Sequence, residues 1–119
     1  MENLTPTTDL IPAARQEGDA LIVAIRGEVD LHNSPELRAE LFDLLGRTKA
    51  RRLILDMGQV PYMDSSALAV IVEALKKLTK AGGKVVLFNP QPRVRGLIEI
   101  ARLTTVLGMA KDEREALTK

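Results

Sequence analysis

The sequence predicts an α/β domain built on a central mixed β-sheet, opened by an N-terminal β-hairpin and flanked by about four helices. Three observations predict it. Strand-like and helix-like apolar patterns alternate along the chain, the main helical stretches carry their own start or stop residues, and the opening pair of strand-like runs is joined by a short polar turn. Parallel neighbours need crossover helices, so this order implies a sheet that is antiparallel at the hairpin and parallel afterwards, in one domain over residues 1–119.

Taken in order, Met1 to about Asp9 reads as a frayed start. Leu10–Ala14 and Ala20–Arg26 flank the polar turn Gln16-Glu17-Gly18-Asp19, and the second run has apolar residues on both alternating faces, as a strand covered on both sides would. Gly27–Asn33 is a loop. Asn33-Ser34-Pro35-Glu36 then offers a cap, an early proline and an acidic first turn to a helix running to about Gly46, with Leu37, Leu41, Leu44 and Leu45 at helical spacing.

Arg52-Leu53-Ile54-Leu55-Asp56-Met57 reads as a buried strand ending near Asp56, followed by the loop Gly58–Asp64 with Pro61. A second helix starts at Ser65 or Ser66, with Leu68, Ile71, Val72, Leu75 and Leu78 on one face and lysines near its end, and Gly82-Gly83 stops it. The pattern repeats in a strand at Val85–Phe88, a stiff loop Asn89-Pro90-Gln91-Pro92, a helical face Val94, Leu97, Ile98 and Ala101, a last strand at Thr104–Leu107 and a helix at Asp112–Leu117.

Composition narrows the function. A net charge of +1, one Tyr and two Phe give neither a basic field nor stacking platforms for nucleic acid. The cluster Arg47, Lys49, Arg51 and Arg52 lies where a helix should end and reads as a solvated cap. With no cysteine there is no disulfide framework and no thiolate metal site, and Met1–Asp9 has no secretory pattern, so a cytoplasmic protein without membrane insertion is expected.

Partners of α/β sheets usually meet the loops beyond the C-terminal ends of parallel strands, here those after Arg26, Asp56 and Phe88. Asp64-Ser65-Ser66-Ala67-Leu68 places two adjacent hydroxyls at a helix N-terminus in the middle loop. A single cap does not need three such side chains. If Asp64 or Ser66 caps the helix, Ser65 is left for covalent modification; from the residues alone the cap and the modified residue stay interchangeable.

The run Leu53-Ile54-Leu55-Asp56, followed by Met63-Asp64-Ser65-Ser66-Ala67-Leu68, resembles the signature of STAS-domain anti-sigma factor antagonists. Gly27-Glu28-Val29-Asp30 with Ser34-Pro35-Glu36-Leu37, and Gly82-Gly83-Lys84-Val85-Val86-Leu87, resemble the same family, extending the likeness from Leu21 to Leu117. The resemblance implies phosphorylation of Ser65, and docking of the surrounding loop and helix start (Asp30, Asp64, Ser66, Ala67 and Leu68) onto an anti-sigma factor that is a serine kinase. A metal-dependent serine phosphatase would reset the switch. It implies a protein that is no enzyme and has no catalytic residue, bound metal or cofactor. The family usually has glycine where this chain has Ala67, whose methyl suits a helix but adds bulk where a partner backbone approaches.

Other readings fit less well. A receiver-like domain phosphorylated on Asp56 would need an acidic pair after the first strand, where Arg26-Gly27-Glu28 stands, and a lysine after the last, where Gly108-Met109 stands. A hydrolase would need a base near Ser65, and the sole histidine, His32, sits in another loop. The alternative that keeps the fold is an accessory STAS subunit bracing a membrane transporter ATPase, with no phosphoswitch.

Overall fold

Six strands lie in the sheet in the same order as in the sequence, β1 (Glu2–Leu4), β2 (Ala13–Glu17), β3 (Ala20–Arg26), β4 (Arg52–Gln59), β5 (Lys84–Phe88) and β6 (Gly108–Ala110). The computed structural model describes residues 2–5 and 8–119. β2 runs antiparallel to both its neighbours, β1 and β3, while β3, β4, β5 and β6 are parallel. The parallel part is wound through α1 (Ser34–Thr48), α2 (Ser65–Lys80) and α3 (Pro92–Ile100), and α4 (Glu113–Leu117) closes the chain.

Period-two alternation sorts the strand residues between two layers. Leu21, Val23, Ile25, Leu53, Leu55, Met57, Val85 and Leu87 face the main core, which α1 fills with Leu37, Leu41 and Leu44, α2 with Leu68, Ile71 and Leu78, and α3 with Val94 and Ile98. The opposite face is narrower. There Ala20, Ile22, Ile54, Val86, Phe88 and Ala110 pack with Ala116 of α4. β3 is therefore covered on both sides, as its unbroken apolar sequence requires.

Several expectations need correcting. Within the start expected to fray, Met1, Pro6 and Thr7 lie outside the described residues, but Glu2–Leu4 pairs with β2 as β1. The first hairpin strand is Ala13–Glu17, because Leu10 and Ile11 are buried in a turn held by Thr8, whose hydroxyl accepts from Leu10 N at 3.2 Å. The hairpin turn is then only Gly18-Asp19, with Gly18 at φ +59°. β4 continues past Asp56 to Gln59, which pairs with Arg26 beyond a register shift.

The last strand is Gly108–Ala110, and residues 104–107 form a turn closed by Leu107 N donating to Leu103 O at 2.9 Å. Register against β5 sets Gly108 opposite Val86, and a Cβ on Gly108 would meet Val86 Cγ2 at 2.8 Å, so the strand starts where the backbone can approach.

The basic cluster is dispersed over several partners. Arg47 pairs with Asp43 at 3.0 Å, Arg51 donates to Ala81 O beyond the end of α2, and Arg52 reaches Asp19 and Leu117 O.

Candidate functional site

The C-terminal ends of β3, β4 and β5 lead into three loops that are tied together. Gly27 N donates to Gln59 O at 2.9 Å, Val29 N to Tyr62 O at 3.1 Å and Asp64 N to Val29 O at 3.1 Å, so the loop after β3 runs beside the loop after β4 as a short parallel bridge, Val29 to Met63. Gln91 Nε2 reaches Gly58 O at 2.9 Å from the third loop, and the Arg93 guanidinium lies 4.7 Å over the Tyr62 ring. The α2 N-terminus is thus held on a braced platform.

Asp64 is the N-cap of α2. Its Oδ1 accepts from Ser66 N at 2.9 Å, Ala67 N at 3.2 Å and the Ser66 hydroxyl at 2.5 Å, and its Oδ2 accepts from Leu31 N at 3.1 Å. One carboxylate therefore satisfies helix donors that would otherwise be free and pins the loop after β3. The Ser66 hydroxyl first, then the backbone N–H groups of Ala67, Ser66 and Leu31, hold the Asp64 carboxyl below the ordinary aspartate range against an opposing desolvation effect.

The two serines are thereby distinguished. Ser66 is half-buried and its hydroxyl is committed to Asp64, whereas Ser65, in the first position of the helix, is exposed and its hydroxyl has no hydrogen-bond partner among the described residues.

Asp30 serves its own loop: Oδ1 accepts from His32 N at 2.9 Å, and its carbonyl accepts from Asn33 N and Ser34 N. Asn33 occupies the cap position of α1, but its side chain turns back to Asp30 N and Glu28 O instead of capping that helix.

Ala67 and Leu68 lie elsewhere than a surface reading of the helix start would put them. Ala67 is 1% exposed and Leu68 7%, both in the main core, because with Val70, Ile71, Ala74 and Leu78 they form the inward stripe of α2. The Ala67 methyl points into the protein. The sequence reading overlooked Leu31, which is 73% exposed and adjoins the Asp64 carboxylate through its own N–H. Its only sequence signal is an apolar side chain set between Asp30 and His32 in the loop.

Among the described residues, no group of three or more His, Cys, Asp or Glu side chains is arranged to hold a metal ion, and no helix is long and apolar enough to cross a membrane.

The family model described as the STAS domain matches residues 12–116. The chain belongs to the STAS family. A relative of this STAS domain is the anti-sigma-B factor antagonist of Bacillus subtilis, 34% identical over 100 residues that cover 83% of this chain and 90% of that one. Among solved structures, a candidate anti-sigma factor antagonist from Thermotoga maritima superposes with a TM-score of 0.84 at 23% identity, covering 92% and 93% of the two chains. The phosphorylated form of the Bacillus cell fate determinant SpoIIAA gives a TM-score of 0.70 at 22% identity over 88% of this STAS domain and 95% of that chain. These two likenesses carry the fold alone; the six-stranded mixed sheet with four helices is the STAS architecture.

Proposed function

We propose that this protein is an anti-sigma factor antagonist that works by partner switching and is not itself an enzyme. Unphosphorylated, it captures an anti-sigma factor with serine kinase activity and thereby frees a sigma factor in the cytoplasm. Phosphorylation of Ser65 breaks the complex, and a metal-dependent serine phosphatase restores it. The observation that carries the reading is the division of labour at the α2 N-terminus: Asp64 and Ser66 are bonded to each other, and the neighbouring Ser65 hydroxyl stands exposed and unengaged. The likeness to the anti-sigma-B factor antagonist of Bacillus subtilis, 34% identical, supports the antagonist role.

Ser65, Leu31 and the half-buried edges of Asp30, Asp64 and Ser66 form the docking surface; Ala67 and Leu68 support it from beneath. Phosphorylation adds about −1.5 to −2 charges at a helix N-terminus, which tolerates an anion, a contribution of about 0.3–1 kcal/mol, so the free protein stays folded. Inside an interface the same charge is desolvated without a compensating partner at a cost of about 3–5 kcal/mol, a hundredfold or greater loss of affinity.

The test uses wild type and Ser65→Asp as baits in host extract, with captured proteins identified by mass spectrometry and the phosphosite mapped after adding ATP. Capture of an anti-sigma factor kinase by wild type alone, phosphate on Ser65 and melting temperatures within a few degrees of each other are the expected results. Equal capture of a transporter ATPase by both baits, with Ser65 unmodified, would make the domain a structural subunit instead.

A further inference from the structure

Following α2 away from Ser65, a shallow groove separates that helix from the segment joining α3 to β6. It consists of two adjoining hollows of about 480 Å³ each, which share Lys76. The first begins at Ser65, lies over Leu68 and Val72, and is closed by Leu103. The second lies over Leu75 and is walled by Val106, which is 54% exposed. Together they follow the 16 residues of α2, a length of about 24 Å, enough to seat roughly four turns of a second helix.

Charge along the groove is one-sided. Glu73, in its upper half, is engaged by Arg38 of α1 through a two-pronged ion pair. Lys76 and Lys80, at the lower end, are exposed and make no ion pair or hydrogen bond among the described residues. A second copy of the chain would meet this patch with the same patch, as twofold contacts require, and the groove's lining contains no acid other than Glu73. A fitting occupant brings both an apolar stripe and free carboxylates.

We propose that the groove receives an acidic amphipathic helix of the anti-sigma factor, its apolar stripe on Val72, Leu75 and Val106 and its carboxylates against Lys76 and Lys80. This extends the docking surface the length of α2 and rests on the antagonist reading above. Because the groove starts at Ser65, the phosphorylated residue stands at one end of the bound helix, where its added charge repels the nearest carboxylates of that helix.

The probe is a fluorescein-labelled, sixteen-residue helical peptide with leucines on one face and glutamates beside them, compared with its lysine counterpart by fluorescence anisotropy and by amide shifts in NMR spectra. The acidic peptide should bind about tenfold or more tighter than the basic one, shift the amides of Val72, Lys76 and Val106, and lose that advantage in Lys76→Glu/Lys80→Glu. The same double variant and Val106→Glu should weaken the captured anti-sigma factor about tenfold or more with melting temperatures unchanged within a few degrees.

Equal binding of both peptides, shifts confined to other surfaces, or a wild-type dimer in sedimentation that Val106→Glu dissociates would overturn the proposal. The two readings fail separately. Capture that Ser65→Asp abolishes but the lysine variant leaves at full affinity removes the groove and keeps the switch, whereas charge-selective peptide binding without any anti-sigma factor capture removes the antagonist reading.

Discussion

Replacing Ala67 by Gly, the residue the family usually carries there, separates two accounts of this position. If the methyl faced the partner, its removal would tighten binding and leave the fold alone. The structure puts it elsewhere: Ala67 is the third residue of α2, 1% exposed, within the main core. Its loss exchanges the best helix former for one about 0.8–1.0 kcal/mol worse and removes a buried methyl worth about 0.8 kcal/mol, together about 1.5–2 kcal/mol. A chain of 119 residues loses about 4 °C of melting temperature per kcal/mol, so Ala67→Gly should melt about 6–8 °C below wild type. The assay is thermal unfolding by circular dichroism beside titration calorimetry with the captured anti-sigma factor, whose affinity should change less than threefold or so. An unchanged melting temperature with markedly tighter binding would refute the inward placement of the methyl.

Leu31→Ala should leave the melting temperature within a degree or two, since the side chain is 73% exposed, while weakening partner capture by about tenfold or more as an apolar anchor is lost. The Asp64 carboxyl titrates lower in the folded protein than in the unfolded chain, so the stability it contributes is fully present above about pH 4 and is lost as pH falls through its lower folded value. Melting temperatures of wild type and Asp64→Asn should differ by a constant amount above about pH 5 and converge in acid; a gap that instead widens as pH falls would reverse the sign of the argument. Gly83→Ala should cost about 3 kcal/mol or more and lower the melting temperature by roughly 10 °C, because a Cβ there would lie 1.9 Å from the carbonyl oxygen of Arg51, just before β4, and could be relieved only by backbone movement.

The alternation of strands and helices was readable because each pattern is local. The inward stripe of α2 announces itself by its spacing, and its end by Gly82-Gly83. β1 gave no such signal: three residues, Glu2-Asn3-Leu4, become a strand only by pairing with β2. The Thr104–Leu107 run has strand-forming side chains, yet register against β5 assigned the strand to Gly108–Ala110, an instance of long-range pairing overriding propensity.

By itself the sequence determined the fold class, the order of the elements from β2 onward and the motif that brings Asp64, Ser65 and Ser66 to a helix start, because periodicity and capping chemistry are properties of neighbouring residues. Tertiary structure alone decided that Asp64 also holds the loop carrying Leu31, that the Ala67 methyl turns inward, and that Val106 comes to stand beside Leu75 across a groove. Each of these depends on which side chains meet across tens of residues, and such meetings exist only once the sheet has set its register.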